Sequence, residues 1–176
     1  MPLLGALALG LSAAQATAFR PLSSEISQPR FRPLHSLTPG KRNPNVTPST
    51  IHLTVCIAGY SSAHRPPTSI TNKLKKKVAA KYGIDPFDKK VFEGDHLIPI
   101  SIGGDTAADG GTKNFWDEPW HRTYKGQDVG AKTKDGLENY LRRHVCKLGD
   151  IGLRRAQREI AEDWYAAWLK YGKPKG

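Results

Sequence analysis

The chain has 176 residues, 38% of them hydrophobic, and a net charge of +11 at pH 7. That length favours one domain with a modest core, and the charge points to a polyanion such as nucleic acid or to an anionic membrane surface. Two cysteines, Cys56 and Cys146, with no CxxC pattern exclude a zinc knuckle.

Residues 1–18 carry no charge, and Leu3 to Ala14 is an apolar run of twelve. Ala14-Gln15-Ala16 and Ala16-Thr17-Ala18 follow as small-x-small cleavage patterns. This is the layout of a secretory signal peptide without its positive n-region, and it is too short to span a bilayer. The expectation is a secreted or periplasmic protein with no stable membrane insertion. In such a protein Cys56 and Cys146 are expected to pair.

Residues 19–50 contain Pro21, Pro29, Pro33, Pro39, Pro44 and Pro48 and no apolar periodicity, which predicts a disordered linker. Arg20, Arg30, Arg32, Lys41 and Arg42 against Glu25 give it +4, leaving +7 for residues 51–176, the expected folded domain. Asn45-Val46-Thr47 fits a glycosylation sequon.

Ile51 to Cys56 alternates like a short strand. Arg65-Pro66-Pro67 lies in a loop, and a helix runs from Thr68 or Ser69 to Tyr82 with Gly83 as its stop. Its apolar stripe is Ile70, Leu74, Val78 and Tyr82. Its lysines include Lys73, Lys76 and Lys77, which form either a solvated face or, with Arg65 and Lys134, a phosphate-binding surface. Val91–Glu93 and Leu97–Ile102 read as two strand segments flanking Asp95-His96. A turn-rich loop follows over 105–112, and Asn114-Phe115-Trp116 returns with two aromatics beneath the hairpin. Helices are expected from about Ala131 to Lys147 and from Leu153 to Tyr171, the latter with Trp164 and Trp168 in the core. The fold class is α+β.

Asp95-His96 carries the most chemistry. An aspartate is a hard oxygen ligand for a divalent metal, and an adjacent histidine is a base of near-neutral pKa able to activate water. Gly103-Gly104 allows a tight turn before Asn114. Lys134, Glu138, Leu141 and Val145 share one helical stripe, which turns Glu138 inward. An inward carboxylate needs a cation, either a metal shared with Asp95 or an i,i+4 ion pair with Lys134.

Asp95-His96-x-x-Pro99-x-x-x-Gly103-Gly104 followed by Asn114 resembles the HNH endonuclease motif of the ββα-metal fold. The wider set also includes Val55-Cys56, Gly59-Tyr60, Arg65-Pro66-Pro67, Lys134-Asp135-x-Leu137-Glu138 and Asp163-Trp164. That set is similar to small exported bacterial HNH-like proteins over residues 54–171. The resemblance implies a hairpin-plus-helix core with flanking helices and metal-dependent hydrolysis of phosphodiester bonds, in DNA ahead of RNA, by a monomer. It implies that Asp95 holds a divalent metal, Mg²⁺ first and Mn²⁺ or Ca²⁺ next. It further implies that His96 deprotonates water and that Asn114 orients His96. The family's third site position, on the helix, is commonly histidine or asparagine. This chain departs there, with Glu138 as the candidate and His121 and His144 as weaker ones. A basic binding module on a degenerate HNH fold is the rival expectation.

Overall fold

Apolar residues at helical spacing build the helices, and one antiparallel hairpin supplies the face they surround. The computed structural model describes residues 31–84 and 88–176. The expected signal peptide at 1–18 and the first part of the expected linker lie outside the described residues.

Helix α1 spans Tyr60–His64 and α2 spans Thr68–Tyr82. Leu74, Val78 and Tyr82 of the expected stripe are buried, and Gly83 ends α2 at φ 66°, a left-handed conformation that glycine adopts without strain. Strand β1, Phe92–His96, pairs antiparallel with β2, Phe115–Pro119, so that Glu93 faces Glu118 and Asp95 faces Trp116. Strands β3, Thr123–Tyr124, and β4, Gln127–Asp128, form a second small hairpin. Lys125 and Gly126 join them at φ 48° and 72°, the positive pair a tight hairpin turn requires. Helix α3 spans Ala131–Arg143, continues as a π turn over His144–Leu148, and is followed by α4, Leu153–Lys170. The architecture is α+β.

Helix α4 is two helices in sequence. Asp163 has φ −161° and ψ 94°, outside the helical region, and its Oδ1 accepts from the N–H groups of Tyr165 and Ala166 at 3.0 and 3.1 Å. Asp163 thus caps the second segment in the manner of an N-cap residue. Trp164 is fully buried and Trp168 nearly so, in the core as expected. They share that core with Leu97, Ile102, Trp116, Leu137, Leu141 and Ile160.

Three local expectations are corrected. Residues 31–50 are not a disordered linker: Phe31 and Val46 are buried, the Arg32 guanidinium pairs with Asp163 at 2.8 Å, and Arg42 bridges to Gly104. Scattered apolar anchors dock this strap without any periodic pattern. Ile51–Leu53 is a 3-10 turn, not a strand. Asp95-His96 closes a continuous strand, and the Leu97–Ile102 segment turns into a 3-10 helix over Ile100–Ile102. Gly103 has φ 81°, and a Cβ on Gly104 would lie 1.7 Å from the Ile98 carbonyl oxygen, so neither position of the pair accepts a side chain.

Cys56 and Cys146 form a disulfide across a sequence separation of 90. Closing a loop of that length contributes on the order of 4 kcal/mol, chiefly by restricting the unfolded chain. Among the described residues no helix is long and apolar enough to cross a membrane.

Candidate active site on the hairpin face

Side chains alternate along a strand, so Glu93 and Asp95 share one face of β1 with Trp116 and Glu118 of β2. Helix α3 lies over this face and delivers Lys134, which is fully buried. Its ammonium donates to Asp95 Oδ2 at 2.7 Å, to the His96 carbonyl at 3.1 Å and to Glu138 Oε1. Trp116 Nε1 donates to the same Asp95 oxygen at 3.3 Å. Burial alone would discharge Lys134, but Asp95, Glu138 and Glu118 outweigh it and hold its pKa well above the ordinary lysine value.

The surrounding carboxyls are raised as well, which in their case favours the neutral form. Burial raises Glu93 to about 7, with the charges of Asp95 and Asp135 adding to the effect. Burial also raises Glu118, whose Oε1 has no hydrogen-bond partner among the described residues. Glu138 is raised by burial despite its contact with Lys134. Two acids thus touch one buried ammonium, and its charge also acts on Glu93, Glu118 and Asp135.

His96 is 8% exposed, at the end of β1. Its Nε2 lies 3.1 Å from the Thr106 carbonyl oxygen. A carbonyl only accepts, so Nε2 carries the proton and Nδ1 holds the lone pair. Burial lowers the His96 pKa, against the opposing pull of Asp95, so the ring is neutral at pH 7. Its edge meets the Phe115 ring at 85° with centroids 5.2 Å apart, which fixes the ring plane.

Asn114 does not orient His96 directly. Its Oδ1 accepts from the Ile98 N–H, and its Nδ2 donates to the carbonyls of Ile98 and Asp105, all at 2.9 Å. It clamps the loop that carries Thr106, so the direct orienting group is the Thr106 carbonyl. Sequence could not identify that role, because a backbone acceptor leaves no residue-type signal.

The remaining candidates separate. Glu138 lies within bridging reach of Asp95, because both touch one nitrogen, but Lys134 occupies the bridging position. The ion-pair expectation for Glu138 therefore describes the geometry. Lys134 is buried and meets no external phosphate, which corrects its place in the binding surface. His121 pairs with Asp128 at 2.7 Å, and His144 pairs with Asp150 at 2.8 Å while stacking on Tyr140. Neither joins the site. Arg65 is exposed, and its charge acts on His96 and Asp135. Lys73, Lys76 and Lys77 are exposed on α2, and Lys77 donates to the Gly110 carbonyl at 2.9 Å.

Among the described residues no group of three or more His, Cys, Asp or Glu side chains could cage a metal ion. One donor fits an open site. Asp95 Oδ1 makes no hydrogen bond among the described residues, and the Asp95 side chain is 19% exposed. Mg²⁺ is commonly held by one or two carboxylates, waters and substrate phosphate. Comparisons with protein-family models, curated proteins and solved structures gave no match.

Asp117 sits on the opposite face of β2, 3% exposed, with neither carboxylate oxygen hydrogen-bonded among the described residues. Burial raises it to about 7, partly offset by Lys75. The folded state binds this proton more tightly than the unfolded chain, so Asp117 costs stability increasingly as pH rises from about 4 through 7. Asp117→Asn removes the buried charge. It is expected to raise the melting temperature at pH 8 by at least about 2–4 °C, a gain of about 1 kcal/mol or more that shrinks toward pH 4. Thermal unfolding at the two pH values checks this.

Proposed function

We propose that the chain is a nuclease of low sequence specificity, hydrolysing phosphodiester bonds of DNA or RNA at an HNH-like ββα-metal site. The observation that carries this reading is His96: a neutral imidazole whose protonated Nε2 is held by the Thr106 carbonyl, leaving the Nδ1 lone pair as a base on which the Asp95 charge acts. In this reading Nδ1 takes the proton of the attacking water. The resulting imidazolium keeps its Nε2–H bond and gains from the Asp95 charge. Such general-base assistance contributes about 10²–10⁴-fold.

Asp95 would hold a divalent ion through Oδ1, with water and substrate completing its shell. When bound, that ion supplies charge neutralisation at the phosphate and stabilises the leaving oxygen. Lys134 fixes the Asp95 carboxylate through Oδ2 and so acts as a positioning residue. Arg65 and the exposed α2 lysines supply backbone phosphate contacts, which bind without reading bases. The disulfide fits a secreted or periplasmic location.

A second reading, a binding module without catalysis, is favoured by one observation: the Lys134 ammonium fills the position between Asp95 and Glu138. Incubation of the full chain with supercoiled plasmid separates the two. The nuclease produces nicked, then linear, then short fragments. Intact plasmid in Mg²⁺, Mn²⁺ and Ca²⁺ alike would leave the binding module.

A further inference from the structure

A second basic feature lies away from the Lys134 cluster, where the strap of residues 31–50 runs beside α4. Arg42 of the strap and Arg154 and Arg158 of α4 line one concavity of about 340 Å³, with Ile98 in its wall. Among the described residues none of the three arginines forms an ion pair, and Glu162 is the one acid in the lining. Three guanidinium groups around one hollow repel one another unless an anion enters.

The hollow is built rather than incidental. Gln157 is fully buried, donates to the Ile102 carbonyl at 2.8 Å and accepts from Arg154 Nη1 at 3.0 Å, which aims that guanidinium. His35, also in the lining, donates from Nε2 to the Glu162 carbonyl at 2.8 Å, locking the strap against α4. Arg154 stands in the first turn of α4, where the helix dipole adds positive potential. A further concavity of about 240 Å³ shares His35, Ala161 and Glu162 and continues past Arg32, which is paired with Asp163 in the same lining. The two together make a groove rather than a pit, a shape that suits a strand more than a free ion.

We propose that this groove binds a backbone phosphodiester of the nucleic acid, at a point separate from the bond being cut. Planar guanidinium forks match phosphate oxygens in pairs, and a phosphodiester brings no base identity, in keeping with low sequence specificity. The proposal rests on the nucleic-acid reading above for the identity of the anion. Ile98 links the two places: it lines the groove, and its backbone is clamped by Asn114 two residues beyond His96.

The test is fluorescence anisotropy of a short labelled single-stranded DNA with the full chain in EDTA, where cleavage does not contribute. The double variant Arg154→Ala/Arg158→Ala is compared with the charge-matched control Arg143→Ala/Lys147→Ala, both checked for folding by circular dichroism. The groove variant is expected to lose at least about tenfold in affinity and to lower the slope of log affinity against log salt by about 1.4, the control far less. Arg154→Lys/Arg158→Lys, which keeps the charge, should retain the slope. A groove variant within twofold of the control overturns the proposal. So does selective loss of binding to phosphatidylserine vesicles with DNA affinity unchanged. Anisotropy in EDTA reads binding and plasmid nicking reads cleavage, so a missing nuclease activity and a missing groove give different results.

Discussion

His96→Ala is expected to slow plasmid cleavage by about 10²–10⁴-fold while the chain stays folded. The imidazole is the one neutral base of the site with its tautomer fixed: Nε2 bonds the Thr106 carbonyl, and Nδ1 makes no bond among the described residues. Its removal deletes one hydrogen bond and an edge contact with Phe115, a modest structural loss at a position still 8% exposed. Activity should therefore fall far more than stability. Initial nicking rates beside thermal unfolding of the same preparations check this. Added imidazole should restore part of the rate, which a purely structural role for His96 would not allow.

Lys134→Met is expected to cost about 3–5 kcal/mol of stability at neutral pH. The loss is not the worth of the ion pairs alone. It includes the penalty of leaving Asp95, Glu138 and Glu118 crowded without a cation. The sign with pH follows. In the parent the Lys134 pKa is raised, so its contribution is complete below the ordinary lysine value of 10.5 and is lost only as pH climbs through the raised one. In the variant Glu138 and Glu118 lose the cation that lowers their pKa values, and the cost of keeping them neutral against an ionised unfolded chain shrinks toward acid pH. Urea unfolding at pH 5 and pH 8 measures both effects. An equal loss at both pH values would mean the ammonium serves packing rather than charge.

The helices were legible because burial imposes a period. Leu74, Val78 and Tyr82 on α2, and Leu141 and Val145 along α3 and its π turn, are core residues on the stripes their spacing defines. The disulfide was legible from two cysteines and an apolar leader. The same stripe arithmetic that turned Glu138 inward also turned Lys134 inward, yet a lysine reads as surface until its partners are known. Asp95 and the His96 carbonyl, far away in sequence, are what make its burial affordable. The strap at 31–50 carries no such signal. Phe31 and Val46 are isolated anchors in a proline-rich segment, and docking by single residues leaves no period to detect. Glu93 and Asp95, and Trp116 and Glu118, stand two apart, the strand spacing that puts each pair on one face, so the acidic face is written in the sequence once the strand pairing is known.

The central claim is that His96 and an ion held by Asp95 together hydrolyse phosphodiester bonds. The most direct measurement is the nicking rate of the full chain on supercoiled plasmid across a Mg²⁺ titration, starting from a metal-stripped sample in EDTA. The account predicts no nicking in EDTA, saturable recovery as Mg²⁺ rises, and no comparable recovery for His96→Ala at any Mg²⁺ level. Undiminished nicking in EDTA, or a His96→Ala rate within a few-fold of the parent at saturating Mg²⁺, would contradict it.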